Sequence, residues 1–427
     1  MNQKLSFIAT GDSFITRRKA NKAKDSPLVD LIKKAEFRFT NLEVTVHDFE
    51  GYPGALSGGT WAVASPTTLE DLQSYAFNCL TWCNNHTLDY LYGGLEATEK
   101  NLNDRGFVHA GVGKNLHAAA APKYIECPNG RVALIGATST FHDFWRAGKQ
   151  REDLRGRPGI NPLRFDTTYY VNKNRLQQLT EIAKVTNINA ETNLAIKEGF
   201  ALKGDSFHFG SYSFKESENE GMIRRPHMLD MNRIISAIHE ASRQADYVVV
   251  SIHCHEMDGE RKEKAPDFLE EFSKRCIDEG AHAIIGHGPH ILRGIEIYKK
   301  RPIFYSLGNF IFQNDTVASL PHDFYEQYGM KNGNVADALD VRSAHNTKGL
   351  GTNKKVWHSV IPYWEMENGQ LTHLSLFPID LGFGLPRYKR GWPRLTESEE
   401  ALKEIQALSI DYNTKIDIQN GIGNVRL

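Results

Sequence analysis

The sequence predicts an α/β protein, on three observations. Short apolar runs recur through the first two thirds of the chain, each ended at once by small and polar residues. Amphipathic segments lie between them, and the runs after residue 290 follow one another without full helices. The first runs are 5–10 before Gly11 and Asp12, 37–40 before Asn41, Leu42 and Glu43, and 77–82 before Asn84, Asn85 and His86. The next are 132–136 before a Ser/Thr cluster, 247–252 before His253, and 283–285 before Gly286 and His287. Runs this short, bounded by turn residues, read as buried strands. Helices are predicted over 88–103 (Leu91, Leu95, Thr98 and Leu102 on one face), 231–244 (Ile234, Ile235, Ile238, Ala241) and 267–278 (Phe268, Phe272, Cys276). The first and third stop at Gly106 and Gly280. Later runs at 295–298, 302–307, 357–364 and 371–378 predict a second, more antiparallel sheet packed on the first, with a hairpin turn at Glu367, Asn368 and Gly369.

Composition narrows the function. The chain has 427 residues, 40% hydrophobic and 24% charged, the balance of a protein with a proper core. A formal net charge of −1 excludes a general nucleic-acid binder and leaves room for a local basic pocket. Five cysteines, an odd and sparse set, argue against a disulfide framework and for a reducing compartment. Cys79 and Cys83 lack the second pair that a structural zinc site needs and read as buried thiols. The N-terminal apolar run is too short for a signal peptide, and no stretch approaches the roughly 18 apolar residues of a membrane span. The expectation is a cytoplasmic protein without a membrane anchor.

The polar residues at the strand ends carry the chemistry. Open α/β sheets bind ligands beyond the carboxyl ends of their strands. Five separate ends here present Asp12, Glu43, Asn85 with His86, His253 with Glu256, and His287 with His290. A single strand-end histidine is more often a satisfied core residue. Five such ends are harder to explain that way, because buried carboxylates and imidazoles without partners are costly and a shared cation removes the cost. Oxygen and imidazole donors suit Zn, Mn, Fe or Mg.

The segments GDSF, FTNLE, CNNHTLDY, VVVSIHCHE, GHGPHILRGIEIY and RPIFYSLGNFIF resemble the capsule-synthesis CapA family, of the poly-γ-glutamate synthesis type, within the calcineurin-like metallophosphoesterase superfamily. The resemblance covers about 5–136 and 246–312. It implies a four-layer α/β/β/α sandwich: one domain over 1–395, insertions at about 140–230 and 313–355, and a C-terminal helix and tail over 396–427. It also implies roles. Asp12 resembles the first metal carboxylate, Glu43 the bridging carboxylate, Asn85 the amide ligand, His253 a later ligand, and His287 and His290 the last histidine motif. His86 resembles the histidine that polarises substrate or donates a proton. The set implies one or two divalent ions. Phe14 stands where the superfamily usually has a histidine, Glu43 where it usually has Asp, and a proline interrupts the last motif.

Other residues have two readings. Asp89, one helical turn after His86, either orients a site histidine or is a helix-start carboxylate. Arg17 and Arg18 either clamp an anion or form a solvated pair. Asn84, His255, Glu256 and Asn309 are expected to support the ligands or meet substrate. Thr396 and Glu399 have the spacing of a capping box opening the last helix.

Three functions follow. The first is metal-dependent hydrolysis of an anionic polymer or peptide, a poly-γ-glutamate-like amide or a phosphoester, with His86 as general acid. The second is epimerisation at a peptide Cα with Asp12 and His290 as the acid–base pair, as in the lasso-peptide epimerases that resemble this family. The third is a metal-stabilised scaffold without catalysis. A homodimer is compatible with each.

Overall fold

A computed structural model describes residues 4–19 and 26–427. Two sheets face each other. The first runs in the order Ile416–Gln419, Ile422–Val425, Gln370–Asp380, His358–Glu367, Lys4–Phe14, Phe37–Leu42, Cys79–Thr81, Val108–Ala110, with Asn309–Phe312 also joined to Lys4–Phe14. The second runs Leu292–Tyr298, Arg301–Leu307, Ala283–His287, Tyr247–His253, Gly130–Thr138, Lys123–Cys127.

The apolar runs are continuous because both faces of each sheet are covered. Successive side chains point to opposite faces, so Phe7 and Ala9 enter the core between the sheets while Ile8 enters the outer core. Val249 likewise faces the inner core, and Val248 and Val250 face the helices Met228–Ala241 and Asp267–Asp278. The helices Pro27–Lys33, Leu69–Ser74 and Leu91–Asp104 cover the other outer face with Leu28, Leu72, Leu95 and Leu102. The result is an α/β/β/α sandwich.

The strands divide between the sheets differently from the sequence expectation. Runs 295–298 and 302–307 do not form a separate sheet with 357–364 and 371–378. Ile303 pairs in parallel with Ile284, which adds the first two runs to the sheet of Tyr247–His253. His358–Glu367 pairs antiparallel with Lys4–Phe14, where the rings of Phe7 and Trp364 stack at 5.2 Å. The first sheet therefore has a parallel half, from Lys4–Phe14 to Val108–Ala110, and an antiparallel half, while the second has a parallel centre with an antiparallel strand at each edge. The turn at Asn368 and Gly369 closes the hairpin with φ of 51° and 75°.

Residues 396–427 are more than a helix and tail. The helix Glu400–Ser409 packs Leu402 and Ile405 into the core between the sheets, and the hairpin after it joins the first sheet through Ser375 and Asn424. No capping box opens that helix: Thr396 Oγ1 accepts from Ser398 N instead. Within the first insertion, Phe165–Val171, Phe207–Phe209, Tyr212–Glu216 and Gly221–Pro226 form their own small sheet. The second insertion supplies the short helices His322–Gln327 and Val335–Arg342. The five cysteines are unpaired, and among the described residues no helix is long and apolar enough to cross a membrane.

Candidate metal centre

Strand register aligns the functional ends. In the first sheet Asp12 is level with Asn41, and Asn41 with Thr81. In the second, His253 is level with both Thr138 and His287. Asp12 reaches toward the second sheet because its strand bulges there. Asp12 N donates to Gly308 O at 2.9 Å, and the register shifts between Asp12 and Ser13. Only glycine fits at position 11, since a Cβ would lie 1.9 Å from Gly308 O. From the other side Gly288, with φ of 123°, donates its N–H to Asp12 Oδ2 at 2.9 Å. Asn41 Nδ2 donates to Oδ1 at 2.8 Å.

Three sets of donors converge. Asp12 Oδ1 is 3.7 Å from His253 Nδ1 and 3.5 Å from His287 Nδ1, and the two ring nitrogens are 2.9 Å apart. Glu43 Oε1 is 3.6 Å from His253 Nε2 and 3.7 Å from His255 Nε2. His290 Nδ1 is 3.6 Å from Glu43 Oε2 and 3.8 Å from Asp12 Oδ2. Each set has its ligand atoms close enough to share an ion. Donors bound at about 2.0–2.2 Å to one cation stand roughly 3–3.5 Å apart.

The environment fits a cation on independent grounds. Glu43 is fully buried, and neither of its oxygens has a hydrogen-bond partner among the described residues; His255 Nε2 has none either. Burial pushes the Asp12 carboxyl up to about 7 against the hydrogen bonds from Asn41 and Gly288. Burial, with Asp12 and Asp89 adding, pushes Glu43 well above the usual carboxylate range. Burial holds His287 and His290 down at about 3, and holds His253 and His255 well below their usual value with help from neighbouring imidazoles. Neutral imidazoles with free lone pairs, beside carboxylates that resist ionising alone, are suited to a divalent ion.

Supporting hydrogen bonds set the rings. Asn85 Nδ2 donates to Gly58 O at 2.9 Å, which leaves Oδ1 to accept from His253 Nε2 at 2.8 Å. The Nε2 of His287 meets Ser251 Oγ at 2.7 Å. Asn309 Nδ2 donates to the carbonyls of His290 and Val356, so its Oδ1 accepts from His290 Nδ1 at 2.9 Å. Asn84 accepts from His86 N and donates to Leu42 O. His86 Nδ1 lies 2.6 Å from Asp89 Oδ2, and the Asp89 carboxylate also accepts the backbone N–H groups of Gly58 and Ala62. Asp89 is therefore the partner that orients His86.

Three candidates, Glu256, Arg17 and Arg18, point elsewhere. Glu256 accepts from Ser139 at 2.7 Å and Thr140 at 3.0 Å, which braces the 253–256 turn and turns the carboxylate away from the donors. Arg17 does not clamp an anion at the cluster: its Nη2 donates to Arg390 O at 2.7 Å and its guanidinium lies over Trp392. Arg18 pairs with Asp71 and Glu70. Phe14 packs edge-on against His86 in the apolar core.

His86, His255 and His290 open onto a pocket of about 300 Å³ whose walls carry Lys262, Arg342, Arg387 and Arg390. The sequence reading missed Lys262 and Arg342; Arg387 and Arg390 stand in the basic, turn-rich run 386–391, which is legible in the sequence as either a contact for a carboxylate-rich substrate or a solvated loop. The His-x-His spacing of His253 and His255 was a local signal that both rings share the site, but nothing in the local sequence around Arg342 separates it from a surface arginine.

Residues 6–314 match the family described as "Bacterial capsule synthesis protein PGA_cap", whose fold is of the metallophosphoesterase type. The protein y4sH of Sinorhizobium fredii is 33% identical over 438 aligned residues, 99% of this chain and 93% of y4sH. The capsule biosynthesis protein CapA of Bacillus anthracis is 37% identical over 109 residues, 25% of each chain. A crystal structure of a hypothetical protein from Thermus thermophilus aligns with 88% of this chain and 99% of its own at 9% identity and a TM-score of 0.39. By the match over most of its length, this chain belongs to the bacterial capsule synthesis family PGA_cap.

Proposed function

We propose that this protein is a metal-dependent hydrolase acting on an anionic polymer or peptide in capsule-type polymer metabolism, at an amide or phosphoester bond. The observation that carries the reading is the Glu43 carboxylate, fully buried with neither oxygen hydrogen-bonded among the described residues and facing the imidazoles of His253, His255 and His290.

Asp12, Glu43, His253, His287 and His290, with His255, would hold one or two divalent ions, and Asn85, expected from the sequence as an amide ligand, would instead set the His253 ring through its Oδ1. A bound ion supplies Lewis acidity and lowers the pKa of water. His86 stands at the pocket surface with Asp89 behind it. In the Nδ1–H tautomer fixed by that carboxylate, its outer nitrogen is placed to shuttle a proton to the leaving group, a role typically worth ~10²–10⁴-fold. Lys262 and the arginines draw an anionic substrate into the pocket.

The geometry favours hydrolysis over epimerisation. Asp12 is fully buried, is held by Asn41 and Gly288, and lies on the same side as His290, 3.8 Å from its Nδ1. A pair acting on opposite faces of a Cα would need Asp12 exposed across the substrate.

The test is turnover of 4-nitrophenyl phosphate, bis(4-nitrophenyl) phosphate and γ-glutamyl oligopeptides by protein stripped of metal and reloaded with Mn, Zn, Fe or Mg. Metal-dependent cleavage lost in His86→Ala supports the reading. Solvent deuterium entering a peptide Cα without cleavage would replace it with epimerisation.

A further inference from the structure

Arg342 is a cation that no carboxylate pairs with among the described residues; the carboxylate whose field reaches it is Asp315, which is bound to Arg390. It ends the helix Val335–Arg342 in the second insertion and lines the pocket. Its Nη1 donates to Thr60 Oγ1 at 2.5 Å and its Nη2 to Asn314 Oδ1 at 2.7 Å, and its guanidinium carbon lies 5.7 Å from the Phe324 ring centroid. All three neighbours are neutral.

The nearby carboxylates are taken by other arginines. Asp340 pairs with Arg387 at 2.6 Å, and Asp315 pairs with Arg390. Among the described residues no carboxylate pairs with Arg342. A guanidinium carries five N–H donors in a planar fork, and the two hydrogen bonds leave donors unused. Burial disfavours the cation, and leaving such a charge uncompensated is costly.

A second cation shares this condition. Lys262 lines the pocket beside His255 and His290, and its ammonium has no ion pair among the described residues. Its field reaches Glu43, which places it on the metal-cluster side. Arg342 instead belongs to the wall formed by Thr60 and Asn314.

We propose that Arg342 binds an oxyanion of the substrate, so that the pocket selects a molecule with two negative groups, one at the metal cluster near Lys262 and one on Arg342. The inference rests on the reading of this pocket as the substrate site. A carboxylate or a phosphoryl group matches the guanidinium fork. The device is coupled to the catalytic wall. Thr60 lies on the loop whose Gly58 accepts from Asn85 and donates to Asp89, so an anion on Arg342 bears on the residues that set His86.

The experiment is isothermal titration of the metal-loaded protein with butyrate, glutarate and 4-phosphonobutyrate. Wild-type protein is expected to bind at least one of the two dianions about tenfold or more tightly than butyrate. Which dianion wins distinguishes a carboxylate from a phosphoryl partner. Arg342→Gln should remove most of that preference and Arg342→Lys should retain part of it. Arg225→Gln, which breaks an exposed pair with Glu271 on the first insertion, should leave it unchanged. The proposal is overturned if wild-type protein shows no preference, or if a folded Arg342→Gln keeps all of it. If Arg342→Gln does not fold, Arg342→Met, which keeps the apolar stem and removes the charge, takes its place, and a full preference in that variant overturns the proposal equally. Binding is read without turnover. A protein that hydrolyses nothing but loses its dianion preference in Arg342→Gln would refute the hydrolase reading and keep this one.

Discussion

The carboxylate of Asp89 holds His86 at 2.6 Å and, with the same two oxygens, anchors the backbone of Gly58 and Ala62. One buried acid thus sets the tautomer of a pocket histidine and the position of the pocket wall.

Replacing that acid separates orientation from fold. Asp89→Asn keeps one acceptor for the backbone donors and loses the charge that fixes the ring. The expected outcome is kcat down by about tenfold or more with a smaller change in KM, while His86→Ala loses ~10²–10⁴-fold. Wild-type kcat in Asp89→Asn would show that His86 needs no orienting partner.

His253 cannot serve two ions with one neutral ring. Its Nε2–H is committed to Asn85, so the lone pair is on Nδ1, facing Asp12 and His287. The set Asp12, His253 and His287 should hold the first ion; Glu43 with His255 should hold a weaker second, which gains His290 only when its Nδ1 gives up the hydrogen bond to Asn309. Elemental analysis after dialysis is expected to give about one ion per chain. His287→Ala should lose it and His255→Ala should retain it; the reverse pattern would reassign the sites.

Metal affinity should rise with pH. The imidazoles do not limit binding above about pH 4, because burial holds His287 and His290 at about 3. The acids do: Asp12 keeps its proton up to about 7 in the metal-free fold, and burial beside Asp12 holds the Glu43 carboxyl well above the usual carboxylate range. An ion must displace these protons, so each proton released makes log K climb about one unit per pH unit below the acid's pKa. Competition titrations from pH 5.5 to 7.5 measure the slope. A flat profile would mean that the carboxylates are already ionised before metal arrives.

The bulge at Asp12 depends on a missing Cβ. Gly11→Ala would press a methyl group against Gly308 O, where backbone cannot swing aside. The expected cost is about 1–3 kcal/mol or failure to fold, with metal content reduced because Asp12 turns away. Thermal melts and metal analysis check it; unchanged stability and metal content would show that Asp12 does not need this approach.

The sequence by itself determined the local matters. It determined which runs are strands, because residues buried on both faces must be apolar in succession, and which polar residues end those strands. Asp12, Glu43, Asn85, His253 and His287 stood at such ends. Tertiary structure alone decided how strands were shared between sheets, since backbone pairing of Ile303 with Ile284 and of Trp364 with Phe7 leaves no local mark. It alone turned His255 toward Glu43 and Glu256 toward Ser139 and Thr140, although the two are neighbours in sequence. It also took Arg17 out of the site and brought Arg342 in, because a charge meets its partner through contacts that close loops of hundreds of residues.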